Sequence, residues 1–476
     1  MRCLMLIALA ACKPAPDKKP ADTASAPTAP LLSVDADRSL RDADNRQILL
    51  RGINARVNGL FDVTFDDGRI PLEEIPVFTA ADCAFLAQDL GLNLLRLPVN
   101  WSGIEPQPLE YSADYLQRIT DLVDDCERAG VYTIVDLHQD AYGKDIGEDG
   151  APLWAIHPPP DELLEGPLTS QELAERRRSP EVLNAFASLY ANETLASGRG
   201  VRDAYAEMAG VLAVHLAAHP GAVALELQNE PVTGGQLQLL DDFHDAVAEQ
   251  VRAVAPRLPI VFEPDALRNL TDTMPVERPW SWGEGMYSPH IYTDVFEDGW
   301  ASQDTEAIRA SVAGAAEEAA VHGSHLFIGE FGNDPRTERG ALFIDTSLAA
   351  FDDHHASWAI WLYEEHSQDS WGLWDEGDAP HSRGELRQAA ADQLARPFPI
   401  AIDGTIIDIH VDVETNVLTV QMDGAGSGMH VLSTPQRHFA GGAAVTCDGQ
   451  LVTGTSPMAG RLEVACEGTE LRLAPL

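Results

Sequence analysis

Residues 223–231 read "VALELQNEP" and decide the fold. Four of the first five residues are apolar, and the run then meets an amide, Asn229, an acid, Glu230, and Pro231. A strand that is apolar throughout is buried on both faces, which is the signature of a parallel sheet. A hundred residues on, "HLFIGEFG" (325–332) repeats the arrangement and delivers Glu330. Two acids, each at the end of its own buried strand, pose the question of what a chain gains by carrying core strands into charge.

Working outward, the same kind of strand recurs between residues 48 and 365. "ILLRGIN" (48–54), "LNLLRLPV" (92–99), "VYTIVDLH" (131–138), "AVALELQN" (222–229), "PIVFEPDA" (259–266), "GMYSPHIY" (285–292), "HLFIGEFG" (325–332) and "WAIWLYEE" (358–365) make eight. Helical stretches lie between them, such as "TAADCAFLAQDLG" (79–91), with Thr79 placed to cap it, and "YLQRITDLVDDCERAG" (115–130). Eight βα repeats over this length predict an α/β fold, a closed (β/α)8 TIM barrel. The chain after "ARPFPI" (395–400) changes to short Val, Ile and Leu runs broken by Gly, Asp and Asn, which predicts a C-terminal β-sandwich. The expected division is a signal segment over 1–12, a tether over 13–30, the barrel over 31–396 and the sandwich over 397–476.

The bulk numbers exclude some partners. The 476 residues carry a formal net charge of −43, with 45% hydrophobic residues. That field repels phosphates, so nucleic acid is not an expected partner. The basic run Arg176–Arg178 reads as a solvated face, with an anionic headgroup contact as the alternative. His354 and His355 in "DDHH" read as surface residues, and no CxxC pair marks a zinc site. No metal or cofactor is expected, and a monomer is.

"MRCLMLIALAAC" (1–12) has one basic residue, a short apolar run and Leu9-Ala10-Ala11-Cys12, which resembles the lipobox of bacterial lipoproteins. A stretch rich in Pro, Ala, Ser and Thr follows and reads as an extended tether. Lipidation is expected at Cys12, with the protein exported and held at the cell envelope, at the outer membrane by analogy. Export permits disulfides, and the pairs expected are Cys83 with Cys126 and Cys447 with Cys466.

Active sites of such barrels lie at the C-terminal ends of the strands. Strand-end polar residues here are Asn54, Arg96, His138, Asp140, Asn229, Glu230, His290, Tyr292, Glu330, Glu364 and Glu365, with Trp361 among them. Two facing carboxylates suit glycoside hydrolysis, in which one protonates the leaving oxygen and the other attacks the sugar. Asn229 could then hold a sugar 2-hydroxyl and Tyr292 orient the nucleophile. Arg96 could keep that nucleophile ionised, and Trp361 could offer a face to a pyranose ring.

The pattern resembles glycoside hydrolase family 5. Arg96 in "LLRLPV", His138 in "DLHQD", Asn229-Glu230-Pro231, His290 and Tyr292 in "SPHIY", Glu330 in "IGEFG" and Trp361 in "AIWLYEE" carry the resemblance in order. It implies Glu230 as acid/base and Glu330 as nucleophile of a retaining enzyme. "HQDAYG" with Asp140, "GAPLWA" with Trp154, and "SPEVLNAFASLYAN" (179–192) resemble the endoglycoceramidase branch, which cuts between glycan and ceramide. Residues 51–76 depart from the commonest form of that branch. The readings carried forward are a glycolipid-directed endo-β-glycosidase, a β-glucosidase, β-glucanase or steryl-glucosidase, and a non-catalytic carbohydrate-binding lipoprotein. An apolar lip for the ceramide is expected from Trp154, Ile156, Pro158–Pro160, Phe186, Leu189, Tyr190, Val295, Phe296, Trp371 and Trp374.

The anchor is testable on its own. A Cys12→Ser variant is expected to leave the membrane fraction for the soluble one, and its retention on membranes would remove the lipid-anchor reading.

Overall fold

The computed structural model describes residues 32–296, 304–365, 371–424 and 428–476. Cys12, the lipobox and the tether lie outside the described residues. Eight parallel strands close into a barrel: β1 (Arg51–Asn54), β2 (Leu94–Val99), β3 (Tyr132–Leu137), β4 (Ala222–Glu226), β5 (Ile260–Phe262), β6 (Gly285–Tyr287), β7 (His325–Ile328) and β8 (Ser357–Ile360). They are the eight apolar runs of the sequence, and every residue of β1, β2 and β4 through β8 is buried. Each strand pairs with a neighbour on both sides, so closure leaves no edge strand in the barrel. Register fixes what meets at the mouth: Asn54 lies opposite Arg96, and Asp136 opposite Glu226.

Helix α1 (Ala80–Gln88) starts at Thr79, whose side chain and that of Asp82 form a reciprocal capping box. Helix α2 (Ala113–Arg128) presents an apolar face that includes Leu116, Ile119, Val123 and Cys126. A disulfide joins Cys83 of α1 to Cys126 of α2, with the Cα atoms 5.0 Å apart. A second joins Cys447 to Cys466.

Two antiparallel sheets form the sandwich, one of seven strands and one of five, and they share a core that includes Phe398, Ile409, Val420, Leu432 and Leu473. The domain division drawn at residue 396 needs one amendment. The seven-stranded sheet begins with Leu32–Val34, Leu40–Asp42 and Gln47–Ile48, which lead to the strand Pro399–Ile402. Residues 32–48 fall inside the expected barrel span because runs of two or three residues give no periodicity to recognise. They also close the barrel floor: Leu32, Leu40 and Ile48 pack with Leu94, Ile134, Val223 and Phe327 from the barrel interior.

Arg461 fastens the sandwich to the barrel. Its guanidinium donates to the carbonyl oxygens of Ala87, Gly91 and Leu92, just below β2. Gly460 beside it sits with φ +77°, and a Cβ there would meet the Ala87 carbonyl oxygen at 2.1 Å. Only glycine permits that approach.

The two disulfides close loops of different length, with sequence separations of 43 and 19. Cys83→Ala with Cys126→Ala should cost roughly 4 kcal/mol, and the second pair roughly 3 kcal/mol, from loop entropy. Urea unfolding checks the order; a larger loss at the Cys447 pair would contradict it.

Candidate active site

Arg96, expected at a strand end, is fully buried in the middle of β2 and collects the site around itself. Its Nη1 donates to Glu330 Oε1 at 2.7 Å and to Asn54 Oδ1 at 2.9 Å. Its Nε donates to Glu226 Oε2 at 2.7 Å, and its Nη2 to Asn229 Oδ1 at 2.8 Å. Asp136 and Glu263 lie 3.1 Å and 3.3 Å away. Burial alone would lower the guanidinium pKa, but Asp136, Glu226, Glu330 and Glu263 hold it well above its ordinary value. This charge is permanent, and it fixes Glu330 and Asn229 in place.

Glu330 lies just past β7, with Tyr292 donating its hydroxyl to Oε2 at 2.8 Å. Burial raises the Glu330 carboxyl above its ordinary value, while the His290 and Arg96 cations pull against that rise. Glu230 lies just past β4 with φ +43°, a left-handed conformation that a non-glycine residue adopts at a cost. The backbone around it is held from three sides. Its N–H donates to Glu263 Oε2 at 3.0 Å, and Gln139 Nε2 donates to the carbonyl oxygens of Asn229 and Glu230. Its carboxylate accepts from Asn269 Nδ2 at 2.6 Å and from His290 Nδ1 at 2.9 Å. Burial pushes this carboxyl up, but the hydrogen bond and charge of His290 bring it below its ordinary value. An oxygen of each glutamate and a His290 nitrogen all lie within 4.8 Å of one another.

Burial would lower His290, yet Glu263, Glu330 and Glu230 raise it well above the ordinary histidine value, and burial raises Glu263, 3.3 Å from its Nε2, well above the ordinary carboxyl value. His138 is raised likewise, by Asp136 and Asp140, against its own burial. Its ring stacks parallel to Trp361 with centroids 5.6 Å apart. Asp140 sits above them, 3.4 Å from His138 Nε2, and the Trp361–Leu362 peptide is cis.

Arg96, His138, Asp140, Asn229, His290, Tyr292 and Trp361 thus gather with Glu230 and Glu330. Trp154 does not. Its indole N–H donates to the Glu105 carbonyl oxygen and its ring packs edge-on to Trp101, so it anchors the loop after β3. Ile156, Phe186, Leu189 and Tyr190, expected at the lip, are buried core. The aromatic residues that do line the mouth are Phe296, 62% exposed, and Trp371, stacked on it at 6.0 Å and both against Tyr292. Arg177, expected as a solvated cation, reaches Asp140 Oδ1 at 2.7 Å and stands 4.0 Å from Glu230 Oε2. Glu364 and Glu365 turn away from the carboxylate pair, toward Arg383 and Arg56.

Sequence reasoning missed Glu263 and Asn269. Glu263 was legible as an acid directly after β5. Asn269 lies on the short helix Arg268–Thr271, and nothing in its neighbours marks it.

The family model for cellulases of glycosyl hydrolase family 5 matches residues 71–378. The chain belongs to glycosyl hydrolase family 5. Endoglycoceramidase I of Rhodococcus hoagii (strain 103S) is 27% identical over 286 residues, 56% of this chain and 54% of that protein. The chain therefore aligns with about half the length of that relative. Two solved structures share the fold over nearly the whole chain. Endo-glycoceramidase II from Rhodococcus sp. has a TM-score of 0.75 at 24% identity, covering 92% of this chain and 99% of that one. It has been captured with ganglioside GM3 and as a lactosyl-enzyme intermediate. An endogalactoceramidase has a TM-score of 0.75 at 24% identity, covering 94% and 100%.

Two buried acids beside the site set a stability profile. Burial pushes Asp149 up to about 8 and Glu365 up to about 7. Both folded values lie above the unfolded ones, so the stability they contribute is complete below about pH 4 and lost as pH rises through 7 to 8. Asp140, drawn down to about 2 by Arg177 and His138 despite burial, acts oppositely and only in strong acid. Their share of the melting temperature should therefore fall between pH 5.5 and 8.5, while burial lowers His244 to about 3 and His322 and His325 each to about 4, which gives the opposite trend below about pH 7. Asp149→Asn with Glu365→Gln should flatten the slope; an unchanged slope would refute the assignment.

Proposed function

We propose that the protein is a retaining endo-β-glycosidase that releases the glycan from a glycosphingolipid. The observation that carries the retaining reading is the approach of Glu230 and Glu330 within 4.8 Å. That spacing leaves no room for a water between acid and sugar and belongs with the roughly 5–5.5 Å class that works by double displacement.

Glu330 attacks the anomeric carbon. Arg96 and the Tyr292 hydroxyl hold its two oxygens and stabilise the carboxylate as it forms the ester. The leaving oxygen needs a proton, and the His290–Glu230 pair holds one across a 2.9 Å hydrogen bond. Passing it to Glu230 makes that residue the acid. In the second step Glu230 takes a proton from water, which then attacks the glycosyl ester. The His138–Trp361 stack offers a flat floor to the ring, and Asn229 stands where the 2-hydroxyl falls.

The lipid half of the reading rests on Phe296 and Trp371. Two aromatic rings at the barrel mouth, one of them 62% exposed, suit an apolar leaving group. Each could contribute about 1.5–3 kcal/mol when covered by a lipid chain. We also propose that Cys12 is lipidated and that the protein works from the cell envelope as a monomer. The lipobox and the tether composition support the anchor.

The test uses glucosyl- and galactosylceramide, ganglioside, 4-nitrophenyl β-glycosides and cellulose, with detergent present. Ceramide glycosides should be preferred to methyl glycosides, and the released sugar should first appear as the β-anomer. Glu330→Gly should abolish turnover, with azide restoring it on an aryl glycoside as the α-azide. Glu230→Ala should hurt poor leaving groups most, by roughly 10²–10⁴-fold. Inversion of the anomer would overturn the mechanism, and strong cellulose cleavage would overturn the glycolipid reading.

A further inference from the structure

Glu230 and Glu330 are held in different ways. Glu330 accepts one donor on each oxygen, Arg96 on Oε1 and Tyr292 on Oε2. Glu230 takes both of its donors on Oε1, from Asn269 Nδ2 at 2.6 Å and His290 Nδ1 at 2.9 Å. Its Oε2 accepts no hydrogen bond among the described residues, and Arg177 Nη1 stands 4.0 Å from it. Rotating the carboxyl would break two bonds at once, so Oε1 is an anchor and Oε2 is left open.

The chain is built to deliver Asn269 to that anchor. The residue lies on the short helix Arg268–Thr271 after β5. Asp265, 1% exposed, ties the start of this segment to the loop of Glu230. Its Oδ2 accepts from the N–H groups of Thr233 at 2.8 Å and Gly235 at 3.2 Å, and its Oδ1 from that of Leu267 at 2.9 Å. The Ala266 N–H donates to the Pro231 carbonyl oxygen at 2.8 Å. Fully buried Arg268 ties the helix down on the other side. Its Nε donates to Glu318 Oε2 at 2.8 Å, and its Nη2 and Nη1 to the carbonyl oxygens of Ser311 at 3.0 Å and His290 at 3.4 Å. Asn269, half-buried between them, spends its side chain on Glu230. A carboxylate only accepts, so the amide turns its NH2 toward it, and such a donor favours the ionised form. His290 already draws Glu230 below its ordinary value, and Asn269 acts on the same oxygen in the same sense.

We infer that Asn269 is a positioning residue for the second half of the reaction: it keeps the Glu230 carboxylate in one orientation, with Oε2 open to the water that attacks the glycosyl ester. The inference rests on the double-displacement reading above. In that step the water oxygen bonds to the anomeric carbon and its proton passes to Glu230 Oε2. The bond from that carbon to Glu330 breaks, and its electron pair returns to the Glu330 carboxylate.

The test begins with a 2,4-dinitrophenyl β-glycoside, whose leaving group needs no proton, so that the second step limits kcat. Asn269→Leu keeps the size of the side chain and removes the donor, and Asn269→Ala removes both. In each, kcat and KM should fall together by about tenfold. Azide attacks without giving up a proton, so it should restore kcat and yield the β-azide. Leu270→Ala, at a neighbour that is 71% exposed, should match the wild type. A phenyl β-glycoside, which needs the acid, supplies the second readout: the alkaline limb of kcat/KM follows Glu230 in the free enzyme. Losing a donor to the ionised form should move that limb to higher pH. Asp140 and Arg177 from beyond β3, Glu263 from beyond β5, His290 and Tyr292 from beyond β6 and Glu330 from beyond β7 also face Glu230, and all stay in both variants. An unmoved limb, or a lost kcat that azide does not restore, would overturn the inference, because a purely structural role lowers the rate at every pH and leaves azide without effect. Glu230→Ala separates the two failures. If it keeps its activity on the phenyl glycoside, the acid/base assignment fails. If it loses that activity while the Asn269 variants behave as wild type, only the role of Asn269 fails.

Discussion

A single guanidinium, that of Arg96, sits with no solvent exposure among Asp136, Glu226, Glu263 and Glu330. Four buried carboxylates packed at the end of a barrel would repel one another and take up protons without it. With it, two of them, Glu226 and Glu330, accept charge-assisted hydrogen bonds at 2.7 Å, and the cost of desolvation is offset by direct partners. Much of the mouth then follows. Asn229 and Asn54 are oriented because Arg96 donates to both. Asn54 in turn donates to the carbonyl oxygens of Gly329, Ala359 and Ile360, which ties β1 to the ends of β7 and β8. Barrel closure and the placement of Glu330 are one network.

The same network explains why Glu230 and Glu330 differ while lying so close. Glu330 faces a fixed cation and a tyrosine hydroxyl, groups that hold no labile proton near neutral pH. Glu230 faces His290, a residue that Glu263, Glu330 and Glu230 itself raise well above the ordinary histidine value. Burial thus leaves the Glu330 carboxyl raised, while the hydrogen bond and charge of His290 draw Glu230 down. The difference lies in the second layer of residues, and Glu263 is its hinge because it touches Arg96, His290 and the Glu230 backbone at once.

What the sequence made legible was whatever a local pattern can carry. Buried parallel strands must be apolar along their whole length, so all eight could be read, and an acid at the end of such a strand has only the mouth to occupy. Loops carry no such rule. Trp154 and Phe296 look alike in sequence, yet one is pinned to Glu105 and Trp101 while the other faces solvent. Arg177 looked like a solvated cation because its partners, Asp140 and Glu148, are distant in the chain. Asn269 reaches Glu230 only because the segment after β5 folds back over the mouth. The strands at 32–48 are too short to show a period and take their meaning from Pro399–Ile402, more than 350 residues away.

Those short N-terminal strands also settle how the molecule can be held. The described chain begins in the sandwich sheet, and Leu32, Leu40 and Ile48 form the plug beneath the barrel interior. Glu230 and Glu330 stand at the opposite end of the strands. A load joined directly to Leu32, such as a fused domain or a solid support, is therefore borne by sheet hydrogen bonds on the floor, with the opening at the far end of the strands left clear.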